Sequence, residues 1–242
     1  MAINPSIIGK KGPDNNKINK PPKAIPSKSL KGNLISENIT IIIFNSFALT
    51  SKMKWMLKQQ IQAYQPFNEQ EAFDKKAILS FIDKNPDYLL RTNLIAHFTV
   101  STIVVNERMD KVLFAHHNIY KSWGWLGGHS DGDDDMLHVA LKETEEESGL
   151  TKIRPFSKEI FLLDTIYVPN HIKHGRHVSD HLHLNATFLV IADETEKPVV
   201  NVEENSGVQW FSIQSVLKVV SEPRMIPIYQ KAFQKLKLIK NL

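Results

Sequence analysis

Residues 127–150, GGHSDGDDDMLHVALKETEEESGL, decide how this chain is read. Taken as a helix over about 135–148, the stretch places Glu143, Glu146 and Glu147 at i, i+3 and i+4, so three carboxylates share one face. Leu137, Leu141 and Thr144 recur on the other side, where a core is expected. Asp133, Asp134 and Asp135 supply N-cap candidates, and Gly149 followed by Leu150 reads as a left-handed C′ residue with its apolar contact. Three neighbouring like charges weaken an isolated helix. The pattern is therefore either a solvated acidic face partly relieved by Lys142, or a site for a divalent cation, since hard cations such as Mg²⁺ take oxygen ligands. Gly127 and Gly128, just before the helix, let the backbone approach a ligand closely and offer carbonyl oxygens.

Outward from this stretch, periodicity gives the remaining elements. On the N-terminal side, Phe98, Val100, Thr102 and Val104 alternate with His97, Thr99, Ser101 and Ile103, the signature of a strand. Lys111–His117 predicts a second strand, joined through the turn-like Asn106–Asp110. Further back, Leu57, Ile61 and Tyr64 predict a helix, and Asn68 with Glu71 resembles a capping box opening another that Pro86 stops. On the C-terminal side, strands are expected near 159–169, 181–192 and 208–212, then helices at about 213–220 and after Pro227. Helices interleave with hairpin-like strand pairs, which predicts a mixed α/β fold.

The chain has 242 residues, 42% of them apolar and 23% charged. That composition excludes a wholly disordered chain, a fibrous repeat and a polytopic membrane protein. There is no cysteine, hence no disulfide and no thiolate nucleophile or ligand. This suits a reducing, cytoplasmic setting. The formal charge of +4 is uneven: residues 1–52 carry eight lysines against Asp14 and Glu37, a net +6, and the rest is slightly acidic. Basicity thus belongs to a Pro- and Lys-rich segment, and no nucleic-acid polymer is expected as partner. Residues 1–52 are expected to form a flexible, dispensable extension, and 53–242 a single domain that includes N-terminal helices over 54–84.

The acidic stretch resembles the signature of the Nudix hydrolase family. Aligned on Gly149, the box opens at Gly128, sets Asp134 at its first acid and Lys142–Glu143 at its Arg-Glu pair, and sets Glu146–Glu147 at its Glu-Glu pair, closing on Leu150. Asp134, Lys142 and Thr144 depart from the family's Glu, Arg and aliphatic residue, but the spacing is kept. The resemblance extends over roughly residues 93–220. It implies an α/β/α sandwich with a mixed sheet, and hydrolysis of a diphosphate linkage in a nucleoside diphosphate derivative or related pyrophosphate with Mg²⁺ or Mn²⁺. It also implies Glu143, Glu146, Glu147 and the Gly127 carbonyl as metal ligands. Glu143 would alternatively be the base, with Lys142 orienting it, and an extra acid from outside the box would be Glu203 or Glu204.

All ten histidines lie between His97 and His183. If 177–185 is one strand, His177, His181 and His183 face one side, where they could contact phosphate or bind a transition metal such as Zn²⁺. Arg176 suits a phosphate clamp, and Trp125 suits stacking on a base or sugar. The expected partner is a small phosphate-bearing molecule, with no membrane involved and a homodimer allowed. Two other classes stay open on the same fold: a module that senses a nucleotide without cleaving it, and an isomerase of a diphosphate-bearing substrate.

Overall fold

The structure is a computed structural model, which describes residues 56–173 and 175–241. The expectation for residues 1–52 therefore falls outside the described residues. Helix α1 (56–63) buries Leu57 and Ile61, and α2 (Glu69–Lys84) buries Ile78 and Ile82. The predicted cap forms in altered shape. The Asn68 side chain accepts from the Glu71 N–H at 2.9 Å, while Glu71 Oε2 accepts from the N–H of Phe67, at 2.7 Å, rather than that of Asn68.

Strand β1 (Ala96–Val105) is central and buried along its whole length. Its first half pairs antiparallel with β4 (Leu126–His129), its second half with β2 (Lys111–His117), and its other edge runs parallel to β9 (His181–Ala192). Strand β3 (Ser122–Gly124) and β10 (Asn205–Ser212) flank β2, while β5 (Ile153–Pro155) and β6 (Leu162–Val168) flank β9, completing an eight-stranded mixed sheet. A separate hairpin, β7 (His171–Lys173) with β8 (Arg176–Val178), stands off this sheet.

Both faces of the sheet are covered, as an α/β layer architecture requires. Phe98, Val100, Leu184, Ala186 and Phe188 pack with residues of α1, α2 and α3 (Met136–Ser148). Ile103, Val105, Leu189 and Ile191 project on the alternate side and pack with Tyr229, Ala232 and Leu236 of α4 (Ile226–Lys240). Helix α4 covers only part of that side, so the N-terminal ends of β1 and β9 leave an open polar floor. Between α2, β6 and α4 lies a buried ion cluster: Lys231 Nζ sits 2.5 Å from Asp164 Oδ1 and 2.9 Å from Glu71 Oε1, all three residues at most 5% exposed.

Three expectations need correction. The helix at 213–220 is only a 3-10 turn, Val216–Lys218; β-branched Val216, Val219 and Val220 disfavour a longer helix, and Pro223 biases Glu222 towards extended backbone. The buried side of α3 is Met136, Val139, Ala140, Thr144 and Glu147, with Leu137 and Leu141 only partly buried at its edges. Residues 177–185 are not one strand, because Ser179 and Asp180 separate β8 from β9. Among the described residues, no helix is long and apolar enough to cross a membrane.

Candidate active site

Helix α3 forms where its caps dictate. The side chain of Asp135, of the three N-cap candidates, accepts from the His138 N–H at 3.0 Å, and Gly149 ends the helix at φ 66°. Thr144, which replaces an aliphatic in the box, is fully buried with its hydroxyl 2.8 Å from the Ala140 carbonyl and 2.9 Å from the Thr102 hydroxyl on β1. The departure from the box is thus met by a hydroxyl partner across the helix–sheet contact.

The register of α3 then decides where each carboxylate goes. Glu147 is 3% exposed, and its Oε2 accepts from the Gly127 N–H at 2.9 Å. Glu143 is half-buried, with its carboxylate against Gly128: a Cβ built there would come within 2.3 Å of Glu143 Oε2. Glycine is required at 127 as well, since a Cβ would meet the Val100 carbonyl oxygen at 2.1 Å. Glu146 points outward, ion-paired at 3.3 Å with Lys142, whose ammonium lies 3.8 Å from Glu143. Asp134 is buried away from these groups, and both of its carboxylate oxygens lack a hydrogen-bond partner.

Glu143 and Glu147 border a cleft of about 420 Å³. Its floor is the polar end of β1 and β9, where Thr99 and Ser101 hydroxyls donate to Asn185 Oδ1 at 2.9 and 3.0 Å. Gly127, Gly128, Glu143, Glu147, Glu203 and Glu204 form one wall. The Glu204 side chain hydrogen-bonds Glu147, an acid–acid contact that requires a shared proton or a cation. Burial first, then Glu204 and Glu143, push the Glu147 carboxyl up to about 9, and burial also raises Glu143.

Cations line the same cleft. Arg91 is paired with Asp131, Arg224 is paired with Glu222 at 2.6 Å beneath the Tyr120 ring, and Lys173 comes from the β7–β8 hairpin. Composition carried no signal for Arg91 or Arg224, which lie in loops far apart in sequence. Arg176 and His177 are exposed on that hairpin, and the cleft is lined there by Ile172 and Lys173 instead. Trp125 lines the cleft but is only 8% exposed, its ring edge-on to Tyr229 at 5.3 Å. His183 and His129 border the floor; burial holds them neutral, with values lowered to about 2 and about 3. His181 stands next to His183 at the start of β9, and both meet His97, a residue the sequence offered only as part of a strand.

A second concavity lies on the edge of β5, lined by Glu107, Arg108, Lys152, Arg154, Asp193 and Glu194 among others. Its charges are mutually paired, Arg154 with Glu107, Arg108 with Glu194 and Lys152 with Asp193. Such a surface has little left to recognise a phosphate.

The site thus belongs to a mixed α/β sandwich in which an acidic helix and a glycine pair of β4 converge on a polar cleft. The NUDIX domain model matches residues 96–234, and the chain belongs to the Nudix hydrolase family. Among solved structures, a NUDIX family hydrolase from Clostridium perfringens is 19% identical, with 59% of this chain and 97% of that one aligned and a TM-score of 0.43. An Ap4A hydrolase from C. elegans, solved as a binary complex, is 14% identical over 58% of this chain and 97% of that one, with a TM-score of 0.44. No curated protein matches the sequence.

Proposed function

We propose that the chain is a divalent-cation-dependent hydrolase of a diphosphate linkage in a nucleoside diphosphate derivative or related pyrophosphate. One observation carries this reading: Glu143, Glu147 and Glu204 converge beside Gly127 and Gly128 of β4 in a cleft that Arg91, Lys173 and Arg224 also line.

The donor set fits Mg²⁺ or Mn²⁺. It consists of oxygens alone, and it brings a buried carboxylate against a second one, an arrangement that a hard cation relieves. Glu147, Glu204 and the Gly127 carbonyl would hold the ion, with Glu146 joining if it leaves Lys142, while Glu143 is kept for the base role rather than as a further ligand. The ion supplies charge neutralisation at the diphosphate oxygens and acidifies a water. Glu143, its proton affinity raised by burial, takes the proton of the attacking water, and Lys142 keeps it oriented. Lys173 receives the phosphates, joined by Arg91 and Arg224 as phosphate oxygens replace Asp131 and Glu222 on them, with His183 and His129 contributing neutral N–H donors at the floor. Trp125 offers only an edge for stacking. Arg176 and His177 serve a substrate long enough to reach the hairpin, and Glu203 adds charge at the rim beside Glu204.

The test is incubation of the full chain with Mg²⁺ and a panel of dinucleotides and nucleotide sugars. Release of nucleoside monophosphate or phosphate, abolished by EDTA, is the expected result. Binding without turnover would replace this reading by a sensing module, and an isomerised product by an isomerase. Full activity in chelator would overturn the role of the acidic helix.

A further inference from the structure

A second cluster lies behind the floor of the cleft and contains no carboxylate. His97 on β1 pairs directly with His183 on β9 in the parallel register, and His181 precedes it by one alternation on the same strand. One ring nitrogen from each of His97, His181 and His183 lies within 4.8 Å of the other two. His181 Nε2 and His183 Nε2 are 3.1 Å apart. Two nitrogens bound to one tetrahedral ion at bonds of 2.0–2.1 Å lie about 3.3 Å apart, so this spacing is already that of a ligand pair.

The backbone sets the tautomers. His97 Nδ1 is 3.0 Å from the Asn93 carbonyl, and His181 Nδ1 is 2.8 Å from the Ser179 carbonyl. A carbonyl only accepts, so each Nδ1 carries the proton and each Nε2 presents its lone pair to the cluster. This outer support is the arrangement that orients metal-ligating histidines. His97 Nε2 is buried and has no hydrogen-bond partner. A buried imidazole nitrogen left unmatched is costly, and a metal bond would satisfy it. His129, with its ring 5.0 Å from that of His183 and 5.1 Å from that of His97, borders the fourth position from the cleft side. Arg91, the nearby cation, is neutralised by Asp131.

We infer that His97, His181 and His183 form a three-histidine site for a borderline transition-metal ion, Zn²⁺ by preference, separate from the oxygen-ligated cation of the acidic helix. Imidazole nitrogens without carboxylates select such an ion over Mg²⁺. Bound there, it ties β1 to β9 behind the polar floor and fixes the His183 ring that faces the cleft.

The experiment uses the full chain, stripped with chelator, desalted and held in excess Mg²⁺ to occupy carboxylate sites. Titration with Co²⁺ should give the intense visible band of tetrahedral nitrogen coordination, saturating at about one ion per chain and abolished by Zn²⁺. Zn²⁺ at a hundredfold excess over Kd should raise the melting temperature by roughly 5–10 °C. His97→Gln and His181→Gln should lose both effects, while Glu147→Gln keeps them. Absence of the Co²⁺ band in the wild type, or variants that shift with Zn²⁺ as the wild type does, would overturn the site. Where a glutamine variant folds poorly, the wild-type Co²⁺ spectrum decides alone, since octahedral oxygen ligation gives only a weak band. None of these readouts involves substrate turnover.

Discussion

The backbone N–H of Gly127 donates to Glu147 Oε2 at 2.9 Å, joining strand β4 to the last turn of α3 at a nearly inaccessible carboxylate. This contact places the glycine pair and the acidic helix in one wall of the cleft, and several expected outcomes depend on it.

Gly128→Ala should inactivate without unfolding. Its new methyl would meet the Glu143 carboxylate, a movable side-chain end, and drive it off its position. Gly127→Ala would instead meet the backbone of Val100 and Ser101 and disturb the β1–β4 pairing. The expected difference is a near-native melting temperature with lost turnover for the first, and a clear loss of stability for the second, read by thermal unfolding beside activity.

Glu143→Gln keeps shape and removes a base, so turnover should fall by about 10²–10⁴ whatever the Mg²⁺ concentration. Glu147→Gln should show a weaker dependence on chemistry and a stronger one on metal, with activity partly restored by raising Mg²⁺. Wild-type turnover in both variants would return these glutamates to a solvated face.

In the cation-free protein, Glu147 is held protonated up to about 9 against an ordinary 4.5. Between those values the folded chain binds more protons than the unfolded one, so this group's contribution to stability falls as pH rises. In EDTA at about pH 8, Glu147→Gln should therefore melt higher than the wild type, and the two should converge below about pH 4.5. Mg²⁺ should stabilise the wild type more. A wild type equal to the variant across this range in EDTA would show that the carboxyl is not destabilised by its surroundings.

Lys231 neutralises Asp164 and Glu71 in a buried site joining α4 to β6 and α2. Lys231→Met leaves two buried acids without their cation and should cost about 3–5 kcal/mol. Adding Asp164→Asn should recover part of the loss, which denaturant unfolding of the single and double variants would measure. A Lys231→Met chain as stable as the wild type would show that the cluster is not closed to water.

Thr144→Val leaves the buried Thr102 hydroxyl with only its 3.4 Å contact to the Leu126 carbonyl. A loss of about 1–2 kcal/mol is expected, and Thr102→Val in the same chain should restore much of it, because two valines match each other. Additive losses in the double variant would refute the pairing.

Some of this was readable from residue order alone. The spacing of Glu143, Glu147, Gly149 and Leu150 identifies a helix with a left-handed stop, because caps and periodicity are local properties of the chain, whereas Gly127 and Gly128, read as a loop, are drawn into strand β4 by pairing with Ser101 and Val100. The alternation in 97–104 likewise separated the faces of β1, putting Phe98 and Val100 towards the helices and Thr99 and Ser101 on the floor. Residue order could not distinguish Glu146 from Glu147. Both lie on the acidic side of the helix, and only the docking of α3 on β4 buries one and leaves the other with Lys142. Nor could it bring His97 to His181 and His183, or Arg91 and Arg224 to the acids. Those meetings depend on the parallel register of β1 with β9 and on loop closure between segments roughly 50 to 85 residues apart, from Arg91 to Glu143 up to His97 to His183, which no local pattern encodes.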